Sequence, residues 1–121
     1  MATILIVEDD EELQKMLQLI LNRAGHETVA SLNGLDALYQ ACYIRPDLII
    51  LDLMMPYAAG DAVLGFIRST DQLKNTPVLV LSAHPNAQEL ARQLNADGFL
   101  PKPLDMQSFT ALVDRLLQQP A

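Results

Sequence analysis

The sequence predicts an α/β fold in which a five-stranded parallel sheet carries helices on both faces. Three observations predict it. Short, unbroken apolar runs alternate with amphipathic stretches along the whole chain, two of these runs end directly in acids, and no shift in composition divides the 121 residues into two units. A run that is apolar at every position is a strand buried on both faces, and helical crossovers between parallel strands supply that cover. We therefore expect a single domain over residues 1–121, either a complete protein or a piece of a longer one.

Each element has its own signal. Thr3-Ile4-Leu5-Ile6-Val7 is the first strand. Leu13, Met16, Leu17, Ile20, Leu21 and Ala24 then recur at helical spacing, with Asp10 as the cap, Glu11 and Glu12 at the positive end and Gly25 as the stop. Residues 27–31 form a weaker strand. Asn33-Gly34 opens a second helix whose inner stripe is Leu35, Leu38 and Cys42, closed by Arg45-Pro46-Asp47. Leu48-Ile49-Ile50-Leu51-Asp52 repeats the pattern of the first strand and leads into a loop over residues 53–60. Asp61 is placed to cap a third helix with Val63, Leu64 and Ile67 inward and Gly65 as its weak point. Residues 77–82 form the fourth strand, and Pro85 suits the first turn of a helix with Leu90, Ala91 and Leu94 inward, ending near Asn95. A short strand from Gly98 to Pro101 precedes Lys102-Pro103, a candidate cis peptide. The last helix starts at Asp105 and presents Met106, Phe109, Leu112, Val113 and Leu116 on one face. Cys42, the helix methionines and Phe109 read as core.

Composition removes several classes of function. Half of the residues are hydrophobic and 19% are charged, which fits a packed core and not a disordered segment. The net charge of -7 has the wrong sign for a duplex-binding surface, so we expect no direct nucleic-acid binding by this domain. Cys42 is the only cysteine, so no internal disulfide forms. No apolar run approaches the length of a signal-peptide core or a membrane span, and we expect a cytoplasmic protein that does not contact membranes.

The chemistry lies at the strand ends. Glu8, Asp9 and Asp10 follow the first strand, Asp52 ends the third, Ser82 ends the fourth and Lys102 follows the fifth. In open parallel sheets, ligands sit outside the carboxyl ends of the strands where strand order reverses. Carboxylates gathered there repel one another unless a cation lies between them, and hard oxygen donors with few neighbours favour Mg²⁺. Lys102 and Ser82 suit the oxygens of a phosphoryl group, which makes Asp52 the expected nucleophile and an aspartyl phosphate the expected product.

The run Ile4-Leu5-Ile6-Val7-Glu8-Asp9-Asp10, then Leu51-Asp52-Leu53-Met54-Met55-Pro56, Leu81-Ser82-Ala83 and Lys102-Pro103, resembles the receiver domain of two-component response regulators over the whole chain. The resemblance implies a flavodoxin-like fold with five βα units, a three-layer sandwich whose sheet order is 2-1-3-4-5, the order given for a chemotaxis receiver. It implies Asp52 as phosphoacceptor, Asp9 as direct Mg²⁺ ligand, Glu8 acting through bound water and Met54 giving its backbone carbonyl to the metal. It further implies Ser82 and Lys102 as holders of phosphoryl oxygens, and Phe99 as the aromatic partner of Ser82 in a switch.

The implied partners are a sensor histidine kinase or phosphotransfer protein and a downstream effector or covalently linked output domain. The only catalysis implied is Mg²⁺-dependent self-phosphorylation and self-dephosphorylation at Asp52. The resemblance allows a homodimer through the fourth helix, fifth strand and fifth helix, with Arg92, Asp97 and Arg115 available to pair, although Gly98 stands where relatives often have an acid used in such a dimer. Ala58-Ala59 before Gly60 and Asn95 in place of a helix-ending glycine depart from the pattern. Met54 offers no polar group to orient water, which predicts slow phosphate loss. Met54 also stands where a phosphohydrolase of the haloacid dehalogenase group would need its general acid, and the acids after the first strand would repel a bound nucleotide or flavin phosphate. The alternative is a degenerate receiver that binds partners without phosphorylation.

Overall fold

The computed structural model describes residues 2–53 and 60–118. The elements in chain order are β1 (Thr3–Val7), α1 (Glu11–Arg23), β2 (Glu27–Ser31), α2 (Gly34–Ile44), β3 (Leu48–Asp52), α3 (Gly60–Ser69), β4 (Val78–Ser82), α4 (Ala87–Gln93), β5 (Gly98–Pro101) and α5 (Met106–Gln118). All strands pair in parallel in the order β2-β1-β3-β4-β5, as the sequence predicts. β3 and β4 are buried at every position because both faces are covered, which is why their sequences do not alternate. On one face of the sheet, β-strand side chains pack with α2, α3 and α4. On the other, Leu17 and Leu21 of α1 and Phe109, Val113 and Leu116 of α5 complete a second core.

Helix ends follow local chemistry. The Asp10 side chain accepts from the Glu12 and Leu13 N–H groups, and Gly25 stops α1 at φ 96°. Asn33 caps α2 through the Asp36 N–H, and Asp105 caps α5 by accepting from the Ser108 N–H at 3.1 Å. Asn95 adopts the left-handed conformation at φ 64° after α4, a place it takes in lieu of glycine. The Lys102–Pro103 peptide is cis.

Several expected helix faces are different. Leu35 and Cys42 point to solvent, and α2 instead rests on the sheet through Ala37 and Ala41, with only Leu38 of the predicted stripe partly buried. Small side chains let the helix approach the strands closely, so the contact selects the alanine stripe over the larger one. In α1, Met16 and Ala24 are exposed while Gln14 is buried. Leu90 of α4 is exposed, and Ala87 and Ala91 make the contact. Asp61 sits inside the first turn of α3, whose start is at Gly60, and Pro85 precedes α4 by two residues. Pro77 lies just outside β4, to which it has no N–H to offer. Gly98 is partly buried, and a Cβ there would come within 3.2–3.4 Å of Leu112, Leu79 and Leu116, so a larger side chain at this position would press on α5.

Candidate functional site at the strand ends

β1 and β3 are neighbours at the point where the chain turns from building one side of the sheet to building the other, and their registers bring Val7 opposite Leu51. The next residues, Glu8 and Asp52, therefore leave the sheet side by side. Asp52 is opposite Leu81 on β4, so Ser82 follows one step beyond, and Ser82 is opposite Pro101 on β5. Lys102 is the next residue again, its N–H donating to the Ser82 carbonyl at 3.0 Å. Four adjacent strand ends thus gather the predicted residues.

Glu8 is fully buried, Asp52 is 3% exposed, and Asp9 is exposed at the mouth. The Lys102 ammonium lies 2.7 Å from Glu8 Oε1 and donates a hydrogen bond to Asp52 Oδ2 at 3.1 Å. Glu8 Oε2 accepts the Asp10 N–H at 3.2 Å. Burial pushes the Glu8 pKa up to about 7 against the pull of Lys102, with Asp52 adding to the rise. Burial acts to lower the Lys102 pKa, but Glu8 and Asp52 together outweigh it and raise the value.

The donor set fits a divalent hard cation. Glu8, Asp9 and Asp52 each offer one oxygen, and these lie within 4.8 Å of one another. Glu8 Oε1 is buried, and the group set against it among the described residues is the Lys102 ammonium at 2.7 Å. A buried carboxylate oxygen in that condition is an acceptor for a cation. Met54, the predicted carbonyl ligand, lies outside the described residues, as do Ala58 and Ala59.

Ser82 is buried and its Oγ accepts the His84 N–H at 3.1 Å. A pocket of about 300 Å³ lies beside it, lined by Ser82, His84, Phe99 and Lys102 among others. Phe99 is half-buried, packed against the core on the α2–α4 side.

Gln14 belongs to this site although the sequence reading passes over it. Its buried amide donates to the carbonyls of Glu8 at 3.2 Å and Ser31 at 3.1 Å, tying the ends of β1 and β2 together. The available signal was a polar residue on the apolar stripe of Leu17 and Leu21, three and seven positions before them. Among the candidate dimer residues, Asp97 accepts from Arg68 at 2.6 Å and from the Val78 N–H, and Arg92 pairs with Glu89 of its own helix.

A family model for the response regulator receiver domain matches residues 4–114. The chain is 31% identical over 117 residues to the polar-differentiation response regulator DivK of Brucella anthropi, covering 95% of each. It is 32% identical over 121 residues to the DNA-binding dual master transcriptional regulator RpaA of Synechocystis, and spans 50% of that protein. Among solved structures, the chemotaxis protein CheY4 of Vibrio cholerae superposes with a TM-score of 0.88 at 30% identity, over 96% of this chain and 98% of that one. The receiver domain of HemR from Leptospira biflexa does so with a TM-score of 0.89 at 26% identity, over 100% and 98%.

Proposed function

The chain belongs to the response regulator receiver domain family, and from that premise we propose that it is a phosphorylation-controlled signalling switch whose phosphoacceptor is Asp52. One observation carries the proposal: Asp52 is buried beside a lysine and two other acids, the groups that phosphoryl transfer to a carboxylate calls for. The donor is a histidine kinase or phosphotransfer protein. The output is a change in what an effector protein or a linked output domain binds. The setting is the cytoplasm; no helix among the described residues is long and apolar enough to cross a membrane.

Glu8, Asp9 and Asp52 would hold Mg²⁺, with the Met54 carbonyl as a further donor, and the ion when bound neutralises charge on the phosphoryl oxygens. The Asp52 oxygen attacks phosphorus; the new O–P bond forms as the P–N bond of the donor phosphohistidine breaks, and the imidazole leaves with the electron pair. Lys102, already paired with Asp52, is within reach of an oxygen of the transferred group. The Ser82 hydroxyl turns from the His84 N–H to donate to another. Phe99 then moves into the pocket beside Ser82, so that charge at Asp52 repacks α4 and β5. Apart from self-phosphorylation and self-dephosphorylation, no turnover is assigned. Met54, two positions after Asp52 in the sequence, carries no side-chain group that hydrogen-bonds water, and Met54→Asn should speed phosphate loss, measured as the decay of phosphoprotein on a Phos-tag gel.

The test is incubation with acetyl phosphate and Mg²⁺, followed by intact mass and peptide mapping. A base-labile gain of one phosphoryl group on Asp52, absent without Mg²⁺ and in Asp52→Asn, is the expected result. Mg²⁺ binding without any modification by small donors or by phosphorylated histidine proteins would overturn the switch and leave a phosphorylation-independent binding module.

A further inference from the structure

The outward face of α2 is used neither by the core nor by the strand-end site. The helix meets the sheet through Ala37 and Ala41, and its larger apolar side chains point away. Leu35, Tyr39 and Tyr43 are 68%, 76% and 82% exposed, and Cys42 is exposed on the same stripe. Phe66 of α3 lines the other side of the groove they form, which holds about 830 Å³. Positions 35, 39, 42 and 43 follow the spacing of a helix face that is meant to be covered. Isolated apolar side chains in water are ordinary, whereas a contiguous patch marks an interaction surface.

We propose that this face binds a second copy of the same chain, as a two-fold symmetric homodimer built on α2 and Phe66. Charge argues for a like partner. The molecule carries -7, yet among the described residues only one charged side chain, Asp36, lines this groove. A charged partner finds little to read here, and two copies meet little repulsion on a face with a single acid. Area agrees. Two largely exposed tyrosines with Leu35 and Phe66 leave on the order of 500 Å² of mostly apolar surface in water, which with a polar rim approaches the ~800 Å² per partner of a standard interface. Shape agrees as well, because the face presents both projecting tyrosines and the groove beside them, and a two-fold axis sets each against the other. α1 and α5 lie in the opposite layer and stay free.

Sedimentation velocity of the full chain from about 10 µM to about 1 mM tests this. The expected result is a rise from the 13.4 kDa monomer toward twice that mass, unchanged by Asp52→Asn, which separates dimerisation from the phosphoryl chemistry. Tyr43→Glu and Tyr39→Glu, both at exposed positions, should raise the dissociation constant at least ~10-fold with an unaltered circular dichroism spectrum. Arg115→Glu on α5 should leave it unchanged. A monomer throughout the range, or a dimer lost in Arg115→Glu and kept in both tyrosine variants, would overturn the proposal.

Discussion

Glu8 is the residue where burial and charge conflict most sharply. Its pKa of about 7 in the fold lies above the ordinary 4.5, so the folded chain holds that proton more tightly than the unfolded one. The stability this gives is complete below about pH 4.5 and is lost as pH rises through about 7. Lys102 has a raised value and stays charged throughout that window. A divalent cation takes only the ionised carboxylate, so the rise in melting temperature produced by Mg²⁺ should grow between about pH 5.5 and pH 8. Differential scanning fluorimetry at several pH values checks it, and a rise that does not depend on pH would count against Glu8 as a ligand. Gln14 acts on the same strand end through the backbone. Gln14→Leu keeps the volume but leaves the Glu8 and Ser31 carbonyls without that donor, and should cost about 1–3 kcal/mol in urea unfolding. By loosening the end of β1 it should also weaken Mg²⁺ binding about tenfold by isothermal titration calorimetry.

Among the elements, α2 shows how far periodicity reaches. A helix rich in Leu, Tyr and Ala has two apolar stripes, and hydropathy favours the one with the larger side chains. Contact with the sheet chose the other, since Ala37 and Ala41 permit a closer approach. α4 keeps the expected Ala91 inward but covers Ala87 where Leu90 was expected. α3 carries a different defect. Gly65 sits inside the helix with ordinary φ, and a Cβ there would meet nothing within 4 Å. Gly65→Ala should therefore stabilise the protein by about 0.5–1 kcal/mol through the unfolded state and helix propensity, read from the shift in urea midpoint.

For the whole molecule, Arg68 is the tie across the end of the sheet opposite the site. From the end of α3 it donates to the carbonyls of Asn95, Lys74 and Thr76 and pairs with Asp97, while Asp97 also accepts the Val78 N–H. One guanidinium thus joins α3, the turn before β4, the end of α4 and the approach to β5. Its side chain is 17% exposed and that of Asp97 34%, so the ion pair itself contributes little and the three carbonyls it holds carry most of the effect. Arg68→Ala should cost about 2–3 kcal/mol, measured by chemical unfolding. Since α4 and β5 are the segments the proposed switch repacks, hydrogen exchange in residues 94–99 should rise in the same variant.

The sequence by itself determined the ten elements, the caps at Asp10 and Asn33, the stops at Gly25 and Asn95, and the acids, serine and lysine at the strand ends. All of these depend on local chemistry: runs buried on both faces, short polar side chains next to free N–H groups, and residues that tolerate positive φ. Only the tertiary structure decided which apolar stripe of α2 turns inward, that Met16 and Leu90 stay outside while Ala87 is covered, that Gln14 joins two strand ends, and that Asp97 belongs to Arg68. Those outcomes depend on how closely two elements approach and on which backbone groups are left without partners once they do, and neither distance nor partner is written in the spacing of residues along one helix.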